Sequence, residues 1–181
     1  MWSVNYADMA RSDSFFIRAS VATDGTNFNQ TSLDLGSFVD ALGKTVMRIH
    51  NVSIQYGSSA SIPDNPAALG GNAMTSYQLT TQSQGSMVNA DNRTLISSGK
   101  LVGGSNPTIG GGTQGNFTSL TDFADLSPQE WRNGYLVAVE SIFLATDSVN
   151  TALVDNVTIV LECTVETMTA SASMALALSQ Q

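Results

Sequence analysis

An all-β fold is predicted for this chain by three observations. Seven or eight short segments alternate apolar and polar residues. Only two stretches carry helix signals. The segments between them are long, neutral and rich in Gly, Ser and Thr. Many short strands with turn-rich connections make a sandwich or a barrel, and an eight-stranded double-sheet jelly roll with one or two short helical turns fits the number of strands. An immunoglobulin-like sandwich fits less well, because it needs only about 100 residues and a Cys-Trp-Cys core. The 181 residues suit one domain, 1–181, long enough to bury about two-thirds of its unfolded surface without a disulfide or metal. An N-terminal arm of about 1–13 and a C-terminal arm of about 169–181 are expected to flank the β-rich body.

Taken in order, Ser14–Ala22 and Thr31–Gly36 read as strands, and Ser37–Leu42 before Gly43 as a short helical turn. Thr45–Tyr56 is a strand whose parity changes. Met47 and Ile49 share one face, whereas Val52, Ile54 and Tyr56 have the opposite parity. A β-bulge inserts one residue and produces such a flip, so one is expected at His50–Asn51. Ser76–Ser83 and Thr94–Val102 are further strands, preceded by the patternless Gly57–Asn72 and followed by the patternless Gly103–Gly115. Loops this long inside a compact domain are usually functional or packed against something.

Ser127-Pro128-Gln129-Glu130 carries Ser at the N-cap, Pro at N1 and Glu at N3, which predicts one or two helical turns with a reciprocal cap, stopped by Gly134. Trp131 is expected to close that helix and pack into the core. Gly134–Thr146 is apolar on both faces and reads as one central strand, with 147–155 as a loop to an antiparallel neighbour. That neighbour is Asn156–Met168, with Val157, Ile159, Leu161, Cys163 and Val165 on one face and Thr158, Glu162, Thr164 and Glu166 on the other, a period-2 pattern. Ala170–Leu178 alternates Met174, Leu176 and Leu178 with small residues and is expected to add an edge strand or an arm.

Composition restricts function sharply. Only 12% of residues are charged, and the net charge is −8. The seven Lys and Arg are scattered at Arg11, Arg18, Lys44, Arg48, Arg93, Lys100 and Arg132. Nucleic-acid binding draws on clustered cations, so no direct genome or RNA contact is expected. The opening residues lack a basic segment followed by an apolar run, and no run of 18 apolar residues occurs. Neither a signal peptide nor a membrane span is expected.

No constellation suits chemistry. His50 lacks the second His of a zinc site and is expected to be a hydrogen-bonded structural residue. Cys163 lies on an apolar strand face, where a free cysteine behaves as a small hydrophobe. Asp24-Gly25 with Asn27 reads as a turn, since the further oxygens of a calcium loop are missing. Asp122 and Asp125 belong to the approach to the short helix. Glu140 and Glu162 would make a carboxylate pair only if their strands were neighbours; Glu140, Glu162 and Glu166 are otherwise expected on a solvated strand face. The glycine-rich 103–115 lacks the Gly-Lys-Ser/Thr of a phosphate loop, and Ser97-Ser98-Gly99-Lys100 is followed by Leu101. The five Asn-x-Ser/Thr triplets are compositional in a chain this rich in Asn, Ser and Thr. Neither cofactor nor metal is expected, nor any catalytic residue. Trp2, a large aromatic at the extreme N-terminus, needs somewhere to dock, either on its own chain or on a neighbour.

The arm with Trp2 and Tyr6 behind Met1, the strand-rich middle, the neutral loops Gly57–Asn72 and Gly103–Gly115, and the apolar arm Thr169–Gln181 together carry an architectural resemblance over the whole chain. The chain resembles the small single jelly-roll major capsid proteins of tailless icosahedral double-stranded DNA viruses with an internal membrane, in archaea and bacteria. The resemblance implies a coat protein that self-assembles from upright jelly rolls into cyclic capsomers, placed in the virion and assembled in host cytoplasm. It implies partners that are copies of the chain and a second capsid protein, near an internal viral membrane. Lateral contacts would fall to Trp2, Tyr6, Met174, Leu176 and Leu178. A lipid vesicle between shell and genome would make a basic arm unnecessary, and interfaces are depleted in charge.

Three other readings compete. A carbohydrate- or surface-binding β-sandwich would use exposed aromatics, and only 7% of residues here are aromatic. A filament subunit would exchange a strand through Thr169–Gln181. An enzyme would need a nucleophile–base pair or metal ligands that one His and one Cys cannot supply.

Overall fold

The computed structural model describes residues 12–23, 27–40, 44–57, 73–105, 116–121, 126–149 and 156–181. The expected arm residues Trp2 and Tyr6, the turn at Asp24-Gly25, Asp122, Asp125 and most of both long loops lie outside them. Nine strands are formed among the described residues: β1 Phe15–Ala22, β2 Asn29–Asp34, β3 Thr45–Gly57, β4 Ala73–Thr80, β5 Leu95–Ser105, β6 Asn116–Thr121, β7 Tyr135–Val137, β8 Ser141–Val149 and β9 Asn156–Thr167. One sheet has the order β1-β9-β3-β7 and the other β2-β8-β4-β5-β6, with antiparallel pairing throughout. With β6 set aside as an added edge strand, the first sheet holds the first, eighth, third and sixth strands and the second holds the second, seventh, fourth and fifth. Apart from β4 and β5, which pair within one sheet, consecutive strands of this set alternate between the sheets, as in the double Greek key of a jelly roll.

The two inner faces share one core. Met47, Ile49, Val52 and Tyr56 of β3 and Ile159, Leu161 and Cys163 of β9 meet Tyr77, Leu79, Ile96, Ile142 and Leu144 from the other sheet. Tyr56 and Tyr77 touch edge to face, with ring centres 6.5 Å apart, and the buried Tyr77 hydroxyl bonds Ser97 Oγ at 2.9 Å. A phenol can sit this deep because its polar end finds a partner. Phe15 stacks on Phe38 at 4.7 Å and closes one end.

The bulge lies where the parity flip placed it. Ile49 pairs with Cys163 and Asn51 with Glu162, leaving His50 as the extra residue. The bulge keeps Met47 and Ile49 inward with Val52 and Tyr56, since a one-residue insertion restores the side-chain phase.

Several expectations are corrected. Gly134–Thr146 is two strands rather than one: β7 lies in the four-stranded sheet and β8 in the other. The segment is apolar on both faces because the chain crosses from one sheet to the other around Ala138–Glu140, so its inward parity changes. For the same reason β8 and β9 belong to different sheets and are not antiparallel neighbours. Gly103–Ser105 extends β5, and Asn116–Thr121 pairs with it as β6, which the sequence pattern did not indicate. The reciprocal cap at Ser127 does not form: Pro128–Glu130 is a three-residue 3-10 turn without a side-chain cap, and Ser127 Oγ is buried with no partner among the described residues. A turn this short exposes few orphan amides for capping. Trp131 is half-buried, 5.6 Å from Tyr135, rather than a core residue. At Ser37–Leu42 the described part is a tight turn, with Phe38 and Val39 N–H both donating to Leu35 O.

The largest correction concerns the C-terminus. Ala170–Ser179 is an α-helix, α1, and adds no edge strand. Ala, Leu and Met are strong helix formers, and Thr169 Oγ1 accepts from Ala172 N–H at 3.3 Å as its N-cap. The alternation of Met174, Leu176 and Leu178 with Ala and Ser is a consequence of composition, not of a pleated face.

Candidate interaction surface at the C-terminal helix

The bulge divides the outer face of the four-stranded sheet. At the Thr45 end of β3, Val46 and Arg48 point outward beside Thr164 and Glu166 of β9, and α1 covers part of this face. Val46, Ala138 and Ala177 form a small second core with Leu136, Met168 and Leu176 against it. This cover explains why Glu166 is 2% exposed rather than solvated as its strand pattern suggested. Its carboxylate is held by Arg48 through Nε at 2.6 Å and Nη2 at 2.7 Å, while Arg48 Nη1 donates to Asn133 O. A buried carboxylate needs such a two-pronged partner to offset its lost hydration. His50 bonds Thr164 Oγ1 at 2.9 Å, the hydrogen-bonded role expected of it.

The end of α1 is fastened by one residue. Gln180 is 3% exposed. Its Oε1 accepts from Ala138 N–H at 3.0 Å, its Nε2 donates to Leu136 O at 2.6 Å, and its carbonyl accepts from Thr81 Oγ1 at 2.7 Å. Burial pushes the Tyr135 phenol pKa above its ordinary value, against a smaller lowering by the Gln180 side chain. Between the end of α1 and β7 lies an open cleft of about 410 Å³, bordered by Arg93, Asn133, Tyr135, Leu176 and Ser179.

The outward side of α1 is apolar. Met174 is 48% and Leu178 63% exposed, one helical turn apart, with exposed Ser171 and Ala175 beside them and no charged residue on the helix. A helix apolar on both sides is ordinarily covered on both. Of the expected interface residues, the structure thus brings Met174 and Leu178 together on the free side. Leu176 turns inward onto Val46 and Ala138, half-buried. Phe16, 56% exposed on edge strand β1 beneath Arg18 at 6.0 Å, lies apart from this patch.

Nothing assembles for chemistry among the described residues. No group of three His, Cys, Asp or Glu side chains is placed to hold a metal. Glu140 lies in the β7–β8 connection and Glu162 on β9, which neighbours only β1 and β3, so the carboxylate pair is not formed. Cys163 is fully buried, and burial with the nearby Glu162 charge pushes its thiol up to about 12. No helix among the described residues is long and apolar enough to cross a membrane.

Sequence reasoning did not single out Gln180, Gln129 or the Arg48–Glu166 pair. The pair had a signal, opposite charges on two strands whose register the bulge defines. The glutamines had none, because their partners are backbone groups.

No family model and no curated protein matches the sequence. Among solved structures, the chain is similar to a chain of turnip yellow mosaic virus, at 10% identity and a TM-score of 0.35, over 93% of this chain and 86% of that one. It is also similar to the tailspike protein of Acinetobacter baumannii phage AM24, at 12% identity and a TM-score of 0.16, over 86% of this chain and 26% of that one. At these scores neither likeness bears on function.

Proposed function

We propose that this chain is a self-associating structural subunit, a coat protein of the single jelly-roll kind that builds an icosahedral shell in a virion, with no catalytic role. The observation that carries this reading is the uncharged, solvent-facing side of α1, where Met174 and Leu178 lie exposed one helical turn apart. Exposed apolar patches, if contiguous, mark association sites. The low charge density and scattered cations favour contacts with protein over contacts with nucleic acid. A shell around an internal viral membrane, shared with a second capsid protein, is consistent with that surface chemistry.

Light scattering over a concentration series tests the reading. The natural chain is expected to form rings or closed particles, more readily at higher salt, which screens repulsion between copies of net charge −8. Met174→Ser with Leu178→Ser is expected to weaken association at least tenfold while changing stability by less than about 0.5 kcal/mol, as exposed substitutions do. A natural chain that stays monomeric at high concentration and high salt overturns the proposal.

A further inference from the structure

The rim of the four-stranded sheet is finished by side-chain amides where a further strand would pair. Gln129, on the 3-10 turn, accepts from Val52 N–H at 3.1 Å and donates to Val52 C=O at 3.2 Å. Exchange of both bonds with one residue is what an antiparallel neighbour does. Gln180 instead bonds Ala138 N–H and Leu136 C=O, the groups on either side of Val137. Bonding to the residues before and after an opposing one is the pattern of a parallel neighbour. The Gln180 carboxamide therefore stands where the N–H and C=O of one residue of a parallel strand would stand, on the edge of β7 that no other described strand pairs. Unpaired edges are templates for another chain, and natural folds cover them.

This cover has a weak seat. The buried residues of α1 are Ser173 and Ala177, both small, and Ser173 Oγ has no hydrogen-bond partner among the described residues. An unpaired buried hydroxyl is destabilising, and a ten-residue helix is marginal without tertiary support. Two of the larger apolar side chains of α1, Met174 and Leu178, face away from the seat. Beside the same edge lies the cleft bordered by exposed Arg93, a cation facing solvent on a chain of net charge −8, which suits an acidic partner.

We infer that α1 is a releasable cap, and that the edge it covers, Leu136–Ala138, takes an extended segment of a second copy of this chain as a parallel strand. The inference rests on the self-association reading and adds a second contact to the one made by the helix patch. Main-chain bonds supply affinity in such strand addition, and alternate side chains supply selectivity. The cap prevents pairing until the helix lifts.

Gln180→Ala removes both carboxamide bonds, and hydrogen exchange at the Ala138 amide reads the edge directly. In dilute monomer, exchange of Ala138 is expected to quicken at least tenfold relative to the natural chain, while Ile49 and Val52 on β3 keep their rates. The concentration for association by light scattering is expected to fall at least tenfold, with Ala138 protected again in the associated species. Thr81→Val, which removes the bond to the Gln180 carbonyl, is expected to act in the same direction. Unchanged Ala138 exchange in both variants overturns the cap, and association that leaves Ala138 exchanging freely overturns strand pairing. A natural chain and a Gln180→Ala variant that assemble alike leave self-association standing and overturn this inference. A monomeric natural chain beside an associating variant with Ala138 protected supports the cap and overturns the shell.

Discussion

At the scale of single residues, the strongest electrostatic commitment is Arg48 with Glu166. The two lie 118 residues apart in the chain and are 11% and 2% exposed as side chains. Their attraction contributes less than the cost of separating them, because the survivor would be a buried charge without its counter-charge. Glu166→Ala is therefore expected to destabilise the fold by about 3–5 kcal/mol in urea unfolding, and Arg48→Met with Glu166→Leu to recover most of that loss. Recovery in the double variant separates a stranded charge from simple loss of packing. His50 and Cys163 were legible as structural residues, since neither had partners in the sequence for any chemistry. Glu166 was not, because a polar residue on a strand's outer face is solvated unless another element covers it, and α1 does so.

At the scale of elements, the junction into β7 shows how a short strand is seated. Gly134 has φ +62°, and a Cβ there would collide with the Ile49 carbonyl oxygen. The sequence reading made Gly134 a helix stop, but the turn already ends at Trp131. Its role is the close approach of β7 to β3 beside the bulge. Gly134→Ala is expected to cost at least about 1–3 kcal/mol from left-handed backbone alone, seen as a lower unfolding midpoint. The bulge itself was readable because a parity flip has one local cause. The β7–β8 break was hidden because a segment that crosses between sheets is apolar on both faces, as a buried central strand also is. α1 was hidden because its alternating large and small residues satisfy period 2, while its helical propensity comes from Ala and Leu.

At the scale of the whole molecule, acid–base linkage predicts an alkaline limit. The Cys163 thiol is raised from 9.0 to about 12 and the Tyr135 phenol is raised above 10.0, both chiefly by burial. The folded state therefore keeps protons that the unfolded chain releases, so stability falls as pH rises. The decline is expected to begin near pH 9, where the unfolded thiol ionises, and to continue towards pH 12. Urea midpoints measured along that range test it. Cys163→Ala should remove the earliest part of the decline, and the native thiol should resist a thiol reagent until the chain unfolds.

Strand periodicity and turn residues were enough to determine by themselves an all-β sandwich of jelly-roll type and the bulge at His50. Each of those depends on local spacing or on composition, and both are properties of the linear chain. The tertiary structure alone decided that the C-terminal residues form a helix over Val46 and Ala138, that Arg48 and Glu166 meet beneath a cover, and that Gln129 and Gln180 complete a sheet edge with side-chain amides. Those features join groups as many as 118 positions apart in the chain. No local period encodes such a meeting; it exists only when two sheets, a bulge and a helix have been brought into register.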